Sequence, residues 1–167
     1  MMTGVRGGIS LLAVVLSGCA TSYYGGTGSI SPVFDLDRKY TLELLPLETS
    51  PYIRSADLKI LNDLLLMELM NMGIFKPVDS KGSGIQSAKG KHIKADILAT
   101  YDVLTARMRD DVFGTTYMLE IVVKLVDGRS GEILYFGRGT GYGKTKGEAM
   151  ENAVRGALEL LRKKLEK

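Results

Sequence analysis

The sequence predicts an α+β domain: an antiparallel or mixed β-sheet with two main helices covering one face, a two-layer sandwich. Three observations point there. Residues 95–107 and 117–126 alternate apolar with polar side chains, the period of half-buried strands. Between them and a further strand from Glu132 to Tyr142 lies Asp127-Gly128-Arg129-Ser130-Gly131, a strong hairpin turn. Two other segments, 55–72 and 146 onward, repeat apolar residues at helical spacing. Strands joined by short turns must be antiparallel neighbours, and two amphipathic helices can then cover one of their faces.

The chain opens with a secretory signal. Arg6 is the one charged residue before Cys19, and Ile9–Leu16 is apolar except for Ser10. That run is too short to cross a bilayer, which takes about 20 apolar residues. Leu16-Ser17-Gly18-Cys19 resembles the bacterial lipobox, in which a peptidase cuts before a cysteine already joined by a thioether to diacylglycerol. Residues 1–18 are thus expected to be a signal peptide cleaved between Gly18 and Cys19, with Cys19 as the lipidation site. The alternatives, an ordinary signal with a stray cysteine or a buried N-terminal strand, leave this coincidence unexplained. An aspartate after the cysteine retains such proteins in the inner membrane of enteric bacteria. Ala20 stands there instead, which implies lipid anchoring at the periplasmic face of the outer membrane.

Removal of residues 1–18 leaves 149, one ordinary domain. Cys19 is the only cysteine, so no internal disulfide can form and a packed core must hold the fold. Arg6 leaves with the signal, so 22 basic residues become 21 against 19 acidic, a balance that gives no reason to expect nucleic acid as a partner. Residues 19–38 are rich in Gly, Ser and Thr without a period, and are expected to form a lipidated, flexible tether reaching at most roughly 60 Å. A single domain over 39–167 would follow.

Within it, Tyr40–Leu47 reads as a strand that ends near Pro46. Leu58, Leu61, Leu65, Leu69 and Met72 mark a helix stopped by Gly73, with Met67, Met70 and Met72 expected as core filler. Residues 74–78 are extended, and 79–91 form a loop. A turn over 109–114 joins the two alternating strands. Thr145 and Glu148 form a capping box for the last helix, whose stripe runs through Met150, Ala153, Val154, Ala157, Leu160, Leu161 and Leu165.

No residue pattern calls for catalysis, so the chain is expected not to be an enzyme and to hold no cofactor or metal beyond the acyl chains on Cys19. Gly137 to Thr145 ends in Gly-Lys-Thr like a P-loop, but Arg138 occupies the position where a P-loop needs its first glycine. Its strand is also the far arm of a hairpin rather than part of a βαβ unit. His92 is alone on a lysine-rich loop. Asp110-Asp111 is expected to be a solvated turn pair. Gly137, Gly139, Gly141 and Gly143 share one bare strand face, which a helix of the same chain or a neighbouring subunit could approach closely.

Several segments together resemble one family. Leu44-Leu45-Pro46-Leu47, the helix ending Met70-Asn71-Met72-Gly73-Ile74-Phe75-Lys76-Pro77-Val78-Asp79, Lys94 to Thr100, the Leu125-Val126-Asp127 and Ser130-Gly131-Glu132-Ile133 hairpin, and Glu148 to Ala153 resemble the superfamily of the curli secretion lipoprotein CsgG, the penicillin-binding-protein activator LpoB and the Pel export lipoprotein PelC. The resemblance covers about residues 40–166. It implies a non-enzymatic outer-membrane lipoprotein with an antiparallel sheet and helices, a homo-oligomeric habit, a protein partner in the periplasm or outer membrane, and a role in assembly or export. The short hairpin turn argues against a self-made pore, and the short tether against reaching across the cell wall. Exopolysaccharide export fits best by size; a cell-wall synthase activator or a curli-type secretion component are the alternatives.

Overall fold

The computed structural model describes residues 24–78, 95–112 and 114–167. The predicted signal peptide, the cleavage site at Gly18 and Cys19, and the loop with His92 lie outside them. The elements are β1 (Tyr24–Ile30), β2 (Tyr40–Leu44), α1 (Ser55–Asn71), β3 (Phe75–Pro77), β4 (Ile97–Asp111), β5 (Gly114–Asp127), β6 (Ile133–Gly143) and α2 (Lys146–Leu165). The strands form one sheet in the order β1-β6-β5-β4-β2-β3. This is the predicted α+β class, with a mixed sheet.

β4, β5 and β6 form the expected antiparallel meander. The Asp127 carboxylate closes its second turn, accepting from the backbone N–H groups of Arg129 at 2.9 Å and Ser130 at 2.7 Å. The Ser130 and Arg129 amides hold that carboxyl below the usual carboxylate range. Gly131 takes φ +74°, a left-handed conformation that glycine adopts without strain. β2 runs parallel to both β3 and β4. Parallel neighbours need a crossover, and α1 supplies the one between β2 and β3. Pro77 sits on β3, an edge strand, where a missing backbone donor does little harm.

Leu58, Leu61, Leu65 and Leu69 of α1 are buried as expected. They meet Leu42, Ile97, Tyr101, Ile121, Val123 and Leu125 of the sheet and Leu158 and Leu161 of α2 in one core. Met67 is 50% exposed, a correction to its expected place in the core. At nine positions beyond Leu58 it falls on the opposite side of the helix. Between the helices, the Glu68 carboxylate accepts from Arg162 at 2.6 Å and lies 3.6 Å from Arg155.

Two further expectations are corrected. The segment read as tether is part of the fold from Tyr24 onward. β1 pairs antiparallel with β6 from Tyr24–Gly141 to Ile30–Tyr135, and Phe34 is buried against Tyr40, ring centroids 5.5 Å apart. The composition that argues against a core permits another kind of packing. A Cβ on Gly26 would collide with the Gly156 carbonyl of α2, so this strand is held by backbone proximity rather than by large side chains. Second, the predicted turn over 109–114 is much tighter. β4 continues to Asp111 and β5 resumes at Gly114, whose φ of +116° allows the sharp reversal.

Candidate functional site

The bare face of β6 is fully used inside the chain. A Cβ on Gly139 would strike the Ala153 carbonyl and the Ala157 backbone; one on Gly141 would strike the Ala149 carbonyl and Ala153 amide. Gly137 lies under the Ala157 carbonyl, and Gly143 under the first turn of α2. The Tyr135 hydroxyl donates to the Ala157 carbonyl, and burial pushes its phenol pKa up to about 12. Of the two occupants a bare strand admits, α2 is the one present. The subunit contact considered for Gly137, Gly139, Gly141 and Gly143 is corrected accordingly: helix backbone fills the space a second chain would need.

The capping box predicted for α2 is formed. The Thr145 hydroxyl accepts from the Glu148 amide at 3.2 Å, and the Glu148 carboxylate accepts from the Thr145 amide at 3.4 Å and the Lys144 amide at 2.7 Å. Helix α1 starts differently: Arg54 occupies its N-cap without a side-chain hydrogen bond to the first turn.

Both helices begin at the same end of the sheet, and β4 and β5 run on past them. The step leaves a cleft of about 360 Å³. Its floor is the helix-side face of the hairpin, with Ala106, Met108, Tyr117 and Leu119. Tyr52 and Arg54 form one wall, and Lys146 and Met150 of α2 the other. The ammonium of Lys146 donates to Asp57 at 3.3 Å and joins the two walls. Arg54 makes no ion pair among the described residues. Beyond the cleft, Val112 follows the last residue of β4 and is 93% exposed. The exposed Asp110 carboxylate, in the last residues of β4 rather than in the turn expected for it, accepts from the Thr115 hydroxyl across the strand pair at 2.7 Å. Sequence reasoning missed this cleft. Its residues come from four elements, and only the alternation of Ala106 and Met108 on one face could have hinted at an apolar floor.

No protein-family model matches the chain, and no characterised protein matches its sequence. Among solved structures it is similar to the PelC dodecamer of Paraburkholderia phytofirmans, with TM-score 0.56 and 13% identity over 83% of this chain and 97% of that chain. A point variant of that dodecamer in another crystal form gives TM-score 0.55 and 13% identity over 81% and 97%. The fold is PelC-like. At this identity the likeness is one of fold alone, and it spans nearly all of the compared chain. Among the described residues no helix is long and apolar enough to cross a membrane, and no three metal-ligating side chains gather.

Proposed function

We propose that this chain is a non-enzymatic lipoprotein, anchored through Cys19 to the periplasmic face of the outer membrane, that acts as a homo-oligomeric accessory factor in export of a Pel-type exopolysaccharide. The observation that carries the reading is the PelC-like fold, because the compared PelC is a dodecamer and is covered over 97% of its length. The signal and Cys19 supply the anchor, and the absence of any catalytic constellation in the sequence leaves binding and assembly as the work of the domain.

Deleting the gene tests the function directly. Polysaccharide is expected to accumulate in the periplasm while the secreted fraction falls. Normal secretion combined with reduced cell-wall synthase activity would overturn the export reading in favour of synthase activation. Cys19→Ala is expected to abolish labelling by a fatty-acid probe and to move the protein from the membrane to the soluble periplasmic fraction.

A further inference from the structure

The free end of the β4–β5 hairpin carries an apolar knob, and the helix side of the same hairpin carries an apolar hole. Val112 is the knob, with almost no burial in its own chain. The hole is the cleft over Ala106, Met108, Tyr117 and Leu119. A tip cannot fill its own hole. Val112 lies four residues beyond Met108 along an extended strand, on the order of 13 Å away, and the strand would have to fold back on itself to return. One acid near the tip and one base at the cleft can pair. Asp110 is exposed near the tip, and among the described residues its carboxylate accepts from the Thr115 hydroxyl. Arg54 stands at the mouth of the cleft without an ion pair among the described residues.

We propose that the cleft receives the hairpin tip of a second copy of this chain, with Val112 against the Met108 and Tyr117 floor and Asp110 facing Arg54. The inference rests on the homo-oligomeric reading above and assigns its contact surface. The contact is heterologous: every copy offers one knob and accepts another. Such contacts propagate, closing into a ring or extending as a filament. Burial of one valine side chain accounts for a measurable part of the affinity.

The test uses the full chain purified in mild detergent, followed by analytical ultracentrifugation. Wild-type protein is expected to form a large oligomer. Val112→Asp removes the knob and Met108→Glu charges the hole; each is expected to weaken association by about 10- to 100-fold. Both positions are exposed, so circular dichroism is expected to match wild type. Mixing the two variants gives the decisive result. Val112→Asp keeps an intact hole and Met108→Glu an intact knob, so the pair should form a 1:1 dimer and stop there. An oligomer unchanged in Val112→Asp, or a mixture that stays monomeric, would overturn the knob-and-hole contact while leaving homo-oligomerisation intact. A wild-type chain that is monomeric at all concentrations would overturn both.

Discussion

Helices α1 and α2 cover the same face of one sheet by opposite means. α2 brings its backbone down onto β6 and β1. Ala149, Ala153, Gly156 and Ala157 meet Gly26, Gly137, Gly139 and Gly141 backbone against backbone, with Tyr135 the one large side chain reaching into the contact among the described residues. α1 stands on large side chains, Leu58, Leu61, Leu65 and Leu69. α2 is strongly two-faced, with Arg162, Lys163 and Lys164 in its last turn. α1 is apolar on nearly every side and leaves Ile60 and Met67 half exposed. Close backbone packing admits no variation in side-chain size, whereas leucine packing leaves room to relax. The two halves of one layer therefore differ in how they tolerate change.

Gly139→Val is the severest way to break the comparison. Its Cβ would overlap the Ala153 carbonyl, and only movement of the whole helix can relieve that. A loss of about 3–5 kcal/mol is expected, a large share of the roughly 5–15 kcal/mol that holds an ordinary domain, read as a lowered denaturant midpoint. Leu65→Ala, fully buried on α1, should cost about 2–5 kcal/mol through lost transfer energy and a cavity, with the transition still cooperative. If the glycine change proves milder than the leucine change, the two helices do not differ in the way described. Thr145→Ala sharpens the contrast at the helix starts. It deletes the α2 cap and should lower stability by about 1 kcal/mol, while Arg54→Ala at α1 removes no cap and should be near neutral.

The smallest effect concerns Asp96, which joins the start of β4 to β2. Its carboxylate accepts from the Thr41 backbone amide at 2.9 Å and the Thr41 hydroxyl at 2.8 Å. The Thr41 amide first, then its hydroxyl, holds the carboxyl below the usual range. A depressed folded pKa stabilises the native state above the unfolded value of about 3.9, and that contribution disappears as pH falls through the folded value. Asp96→Asn should therefore flatten the acid limb of a stability-against-pH curve and reduce stability at neutral pH. An acid limb unchanged in the variant would show that Asp96 contributes nothing to it.

Much of this fold is written in local pattern. The alternation through Tyr101, Val103, Ile121 and Val123, the Asp127–Gly131 turn and the Thr145–Glu148 box each name their element without help from the rest of the chain. β1 is not written that way. Tyr24 to Ile30 has almost nothing to bury, so composition argues for a free segment, and its strand exists because β6 and α2 are equally bare. The signal was present, but divided among Gly26, Gly139 and Gly156 at distant positions. The full length of the hairpin has no local mark, because Arg109 to Asp111 is polar on both faces and shows no period. The cleft was out of reach for a related reason: a concavity depends on where helices stop above strands, and no single segment records that.

β1 also sets an order in time. It is the first part of the described fold to be synthesised, yet Tyr24 pairs with Gly141 and Gly26 packs under Gly156, close to the other end of the chain. Closure across so long a separation is entropically late. Nothing earlier in the described chain can hold β1, so this strand must wait until β6 and α2 exist. A chain that emerges N-terminus first spends its whole emergence with that edge undocked. The native fold is complete only when its first strand is added last.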